Sequence, residues 1–142
     1  MMLVRDTFFL LISENNGKSV LKYIMNYSVL QQQSISHTRY VNTLVQLRGA
    51  NSNLFLAGTD FKYIAVMDWT SNMQSNISTL FGLSDDTTHI YVSKAIANQV
   101  SFTTWDEYLY FASMTGTTLA IDSSVILGTG WSPIAMVAVE AV

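Results

Sequence analysis

The chain contains no cysteine. This excludes a disulfide framework and any thiolate-based metal or redox site. Charge is also scarce: 12% of residues are Asp, Glu, Lys or Arg, against roughly 25% in ordinary soluble domains. The cations Arg5, Lys18, Lys22, Arg39, Arg48, Lys62 and Lys94 are scattered. A nucleic-acid footprint needs clustered cations that displace counterions, so none is expected here. No stretch approaches the run of about 18 apolar residues that a membrane helix requires. Near the N-terminus the apolar run Phe8–Ile12 is too short for a signal-peptide core, and Asp6 sits just before it. The composition therefore implies neither a membrane partner nor a signal-bearing secreted protein.

Hydrophobic residues make up 49% of the chain, and much of the rest is Ser, Thr, Asn and Gln. Such a surface costs less to desolvate than a charged one. It also lacks the device that keeps free monomers apart. The composition points to a protein packed against other chains. At 142 residues the sequence fits one domain, residues 1–142, large enough to bury a core of its own.

The dominant period is two. Leu21, Tyr23, Met25, Tyr27 and Val29 share one parity, as in a half-buried strand. Asn15-Asn16-Gly17 reads as a tight turn, so Leu3 to Ser13 and Lys18 to Leu30 read as an opening hairpin. Gln31-Gln32-Gln33-Ser34 reads as a polar break, followed by a strand over Ser36 to Leu47. From Phe61 to Trp69 both parities are largely apolar, which implies a strand covered on both faces. Met73, Ile77, Leu80 and Phe81 fall at helical spacing, Ser71 and Gln74 match a capping box, and Gly82 stands where a terminating glycine would. These predict one short helix over Ser71 to Phe81. Further strands are expected over His89 to Ser93, Ser101 to Thr104, Tyr108 to Ser113, Thr117 to Ile121, Val125 to Leu127 and Ile134 to Val139, with Asp122-Ser123-Ser124 as a turn. Pro133 precedes the last strand, where its missing N–H costs no ladder bond. No repeat of fixed period is visible. The pattern predicts a mainly β domain: an antiparallel β-sandwich or barrel with one short helix.

No constellation carries chemistry. His37 and His89 are far apart, and no Gly-x-Ser-x-Gly elbow is present. Asp85, Asp86 and His89 lack the spaced oxygens of a calcium loop, and Asp85-Asp86 reads as a cap on a turn. Gly128-Thr129-Gly130 has no following Lys or helix that would make a phosphate cradle. No catalytic residue, cofactor or metal is expected, and the chain is read as a non-enzyme.

The aromatics are more informative. Tyr108 and Tyr110 share one face of a strand whose other face carries Leu109 and Phe111. One face can fill the core and the other needs a cover. Trp105 and the Trp131–Pro133 loop add large, rigid, amphipathic groups of the kind favoured at interfaces. Trp105, Tyr108, Tyr110, Trp131 and Pro133 are therefore the candidate interface or ligand residues. By composition the chain looks like small virion proteins: minor capsid, decoration or tail components. The expectation is a structural homo-oligomer, assembled inside the cell or in a virion alongside other assembly proteins. The alternative is a carbohydrate- or receptor-binding β-module that stacks a glycan on tryptophan. From Tyr108 to Val142 only Asp122 and Glu140 are charged, which marks the C-terminal third as the expected partner surface.

Overall fold

The computed structural model describes the backbone of residues 2–4, 9–15, 19–25, 28–34, 41–68, 77–128 and 130, and the side chains of 41–68, 77–128 and 130. The described chain is mainly β and antiparallel throughout. Its strands are β1 (Met2–Val4), β2 (Phe9–Asn15), β3 (Ser19–Met25), β4 (Ser28–Ser34), β5 (Val41–Gln46), β6 (Leu54–Thr59), β7 (Ile64–Asp68), β8 (Ser78–Leu80), β9 (Thr87–Val92), β10 (Gln99–Thr104), β11 (Tyr108–Thr115) and β12 (Thr118–Ile126). They form three four-stranded meanders in chain order, β1–β4, β5–β8 and β9–β12. We call these sheets A, B and C.

The sheets stack face to face, as the layers of a sandwich do. β5 lies against β9, β8 reaches β12, and β1 and β2 lie against β5. Period-two patterning builds the core between sheets B and C. Leu54 and Leu56 of β6 and Ile64 and Val66 of β7 meet Val100, Phe102, Tyr110, Ala112 and Met114 of β10 and β11. The opposite parity of sheet B is equally buried: Phe55, Ala57, Ala65 and Met67 are at most 1% exposed. Sheet B is thus covered on both faces, as the unbroken apolar run around β7 implies.

Several sequence expectations are revised. The strand read over Lys18 to Leu30 is two strands, β3 and β4, and the glutamine run belongs to β4, where Lys22 pairs with Gln32. The end of the expected helix over Ser71 to Phe81 is a strand: Ser78, Thr79 and Leu80 pair with Val66, Ala65 and Ile64. Residues 71–76 lie outside the described residues. The helical spacing of Ile77, Leu80 and Phe81 loses to the free edge of β7, whose backbone N–H and C=O groups need ladder partners. Asp122-Ser123-Ser124 lies within β12 rather than in a turn. Phe111 pairs with Ser123 and Ala112 with Ile121, so Asp122 is an extra residue in a β-bulge, and its carboxylate accepts a hydrogen bond from Ser113 Oγ at 2.9 Å. Pro133 and the expected strand Ile134 to Val139 lie outside the described residues.

The structure also contains the fixed period that is not visible in the sequence. β2, β6 and β10 begin at residues 9, 54 and 99, each 45 after the last. Sheets B and C share register as well. Leu56 pairs with Val66, and 45 residues on Ser101 pairs with Phe111. The turns repeat too. Lys62 and Glu107, 45 apart, both hold positive φ, at 57° and 69°. A left-handed conformation costs a residue with a Cβ about 1–2 kcal/mol, a cost glycine escapes. Lys62→Gly is therefore expected to raise stability by about 1 kcal/mol, read as a higher thermal midpoint. An unchanged or lower midpoint would count against strain at this turn.

Candidate docking surface

Tyr108 and Tyr110 stand on the face of sheet C that meets sheet B. The Tyr110 ring stacks on Phe102 at 4.8 Å and on Tyr108 at 5.7 Å. Its hydroxyl shares a 2.7 Å hydrogen bond with Ser84 Oγ, and Ser84 donates to Asp106 Oδ1 at 3.1 Å. Tyr110 is a core residue with a satisfied polar tip, and Tyr108 packs against the same cluster. Neither is offered to a partner by this strand.

Trp105 is different. It lies in the β10–β11 turn and is 47% exposed. That turn is tied to its neighbours. Trp105 N–H donates to Asp86 O at 3.0 Å, and Leu83 N–H donates to Lys62 O at 3.3 Å. Phe61 and Phe81 are also exposed there, and Phe81 lies 5.8 Å from the Tyr63 ring. Trp131 and Pro133, the other sequence candidates, lie outside the described residues.

The carboxylates at this end act locally. Asp86 N–H donates to Asp85 Oδ1 at 2.8 Å, so Asp85 caps the turn before β9. Burial, then the neighbouring charges of Asp85 and Asp60, holds the Asp86 carboxyl above its ordinary 3.8. Burial, and secondarily Asp60, raises the Tyr63 phenol. A carboxyl raised by folding favours the fold at low pH, and that contribution is lost as pH rises through the folded value. Asp86→Asn is therefore expected to raise the thermal midpoint at neutral pH, with the gain shrinking as pH falls toward 3.8 and below. A gain that grows on acidification would contradict this. Among the described residues no group of three or more His, Asp or Glu side chains is placed to hold a metal ion.

The outer face of sheet C, turned away from sheet B, was marked in sequence only by the two-sided character of β11. Cross-strand pairing puts Tyr91, Ser101, Phe111 and Ser123 in one row, and His89, Thr103, Leu109 and Val125 in the next. None of these is Asp, Glu, Lys or Arg. Burial falls across the sheet. Thr103 is 4% exposed, Phe111 36% and Val125 52%. His89 Nδ1 is buried without a hydrogen-bond partner. Such an atom costs about 1–3 kcal/mol unless something donates or accepts there.

The 45-residue period shows what this face is. Advanced by one period, Leu54, Leu56, Ile64 and Val66 become Gln99, Ser101, Leu109 and Phe111, on the outer face of sheet C. Phe55, Ala57, Ala65 and Met67 become Val100, Phe102, Tyr110 and Ala112, on its inner face. The outer face of sheet C is thus the counterpart of the face that sheet B buries against sheet C. Sequence held a faint signal of this. Thr59 and Tyr63 recur as Thr104 and Tyr108, around the paired left-handed positions Lys62 and Glu107.

No family model matches the chain, and no curated protein matches it. Among solved structures it is similar to the WD40 domain of coronin from Toxoplasma gondii, with a TM-score of 0.66 and 9% sequence identity over 84% of this chain and 33% of that one. At that identity the likeness is one of fold. WD40 domains are β-propellers built from four-stranded blades of about 40–45 residues, and three consecutive four-stranded meanders at a 45-residue period match that architecture. The chain spans about a third of the length of the coronin structure it resembles.

Proposed function

We propose that this chain is a non-catalytic assembly protein that works by packing sheet faces against other chains, as a small virion component such as a minor capsid, decoration or tail protein. One observation supports this above the rest. Sheet C carries an outer face with Leu109, Phe111 and Val125 on its last two strands and one carboxylate, Asp122, held by Ser113, and the counterpart of this face in sheet B is fully buried. An apolar face built to the same plan as a core surface favours association over solvent. The low charge of the whole chain supports the same reading. The test is the mass of the native protein, alone and mixed with the other proteins of its source particle. A species larger than the 15.8 kDa protomer is expected. A monomer at micromolar concentration that joins nothing would reject the reading.

Exposed Trp105, with Phe61 and Phe81 on neighbouring loops, favours a second reading: a glycan- or receptor-binding module using Trp105 as its stacking platform. A glycan array probed with wild type and Trp105→Ala decides it. Binding lost in the variant supports this reading, and no binding by wild type removes it.

A further inference from the structure

We infer that the loop end of sheets B and C that carries Phe61, Phe81 and Trp105 docks an arginine-bearing peptide segment of a partner protein, the guanidinium stacking on Trp105 beside the carboxylates of the same loops. This occupant rests on the second reading above, that the Trp105 end binds a ligand, and makes that ligand a protein rather than a glycan.

In an antiparallel meander every second connection falls at the same end. The connections β6–β7 (residues 60–63), β8–β9 (81–86) and β10–β11 (105–107) therefore share one end of sheets B and C. Backbone hydrogen bonds tie them together. Leu83 N–H donates to Lys62 O between the first two, and Trp105 N–H donates to Asp86 O between the last two. Each connection presents one large ring: Phe61 is 61% exposed, Phe81 71% and Trp105 47%. A sheet added at either end of the stack lies beside these loops, so the surface does not depend on where the stack stops.

Charge selects the occupant. The three connections hold Asp60, Asp85, Asp86, Asp106 and Glu107 against one cation, Lys62, a net charge of −4 where the whole chain carries −3. Local hydrogen bonds satisfy single oxygens without changing that balance. Burial and the charges of Asp85 and Asp60 already resist ionisation of Asp86, so an arriving cation relieves repulsion that the fold maintains. Such a field repels phosphate-bearing partners and draws in cations. A neutral glycan stacks on tryptophan but leaves the charge unanswered. Arginine answers both features: its guanidinium lies flat on an aromatic face and its N–H fork donates to carboxylates. The peptide on either side of it covers Phe61 and Phe81. The Trp105 turn is also fixed in advance. Ser84 Oγ donates to Asp106 Oδ1 at 3.1 Å, which leaves the Tyr110 hydroxyl to donate to Ser84, and Thr104 Oγ1 donates to the same Asp106 oxygen at 2.6 Å. Trp105 lies between Thr104 and Asp106, so this network holds its backbone and little freedom is lost on docking.

Fluorescence anisotropy with a labelled peptide of alternating arginine and glycine tests this, beside a glutamate–glycine peptide of the same length. The site variants are Trp105→Ala and the pair Asp60→Asn with Asp85→Asn. Ile96→Ala, which trims an exposed apolar side chain at the opposite end of sheet C, is the control. Wild type is expected to bind the arginine peptide saturably and not the glutamate peptide. Binding should weaken roughly tenfold in each site variant and not in the control, with far-ultraviolet circular dichroism unchanged throughout. Raising the salt to about 0.5 M should weaken wild-type binding, and weaken it less in the aspartate pair. No binding of the arginine peptide, equal binding of the glutamate peptide, indifference to salt or to either site variant, or an equal loss in Ile96→Ala overturns the arginine occupant. Glycan-array binding that is lost in Trp105→Ala, with the arginine peptide silent, overturns the arginine occupant and leaves the second reading standing. Silence in both assays overturns both.

Discussion

Gly58→Ala is expected to destabilise the chain by about 3 kcal/mol, a large effect for one methyl group. Gly58 lies in β6 opposite Ile64 and beside Thr43. It has no left-handed backbone requirement, so space alone decides the outcome. A Cβ there would sit 2.6 Å from Thr43 Cγ2 and 2.8 Å from Thr87 Cγ2. Thr43 belongs to β5 of the same sheet and Thr87 to β9 of the next, so the glycine lies where side chains of two sheets close on β6. Asn42, adjacent to Thr43, donates to Thr87 O at 2.9 Å and holds that approach in place. The added methyl must push sheet C outward or force β5 off its register. The thermal midpoint should fall by roughly 10 °C. Thr43→Ser with Thr87→Ser removes both offending methyls and should recover much of the loss. A Gly58→Ala protein as stable as wild type, or one that the serine pair fails to rescue, would show that the sheets do not meet as described.

The second large effect is at Phe102. Its side chain is fully buried, at the centre of the B–C core, stacked on Tyr110. Phe102→Ala should cost about 4 kcal/mol through lost transfer energy and the cavity left behind. Phe102→Leu keeps most of the volume and should cost about 1.5 kcal/mol. Chemical denaturation of the three proteins checks the order. Equal midpoints for the leucine and alanine variants would mean that sheet C repacks without its aromatic stack.

Alternation along the chain made the β class legible, because a pleated strand sends successive side chains to opposite faces and burial selects among them. The two-sided burial of β7 was legible for the same reason: Ile64, Ala65, Val66 and Met67 leave no polar parity. The division of β3 from β4 was not, since Gln31, Gln32 and Gln33 carry turn-like composition and only the ladder to β3 makes them strand. β8 was hidden by a helical spacing that the edge of β7 overrode. The candidate site was legible in part. Trp105 is exposed, Leu109 and Phe111 stand on the outer face of β11, and Tyr108 and Tyr110 turn inward.

The 45-residue period was hardest to see, because the repeats share geometry and little sequence. Leu54 and Gln99, or Met67 and Ala112, occupy equivalent positions with different side chains. A blade needs the right parity and turn conformation, and many residues satisfy both. By itself the sequence determined that the chain is β, poor in charge and apolar on more faces than one sheet can hide. Only the tertiary structure decided which faces pack on each other. That choice depends on strand pairing and sheet stacking between residues tens of positions apart, where local pattern carries no information.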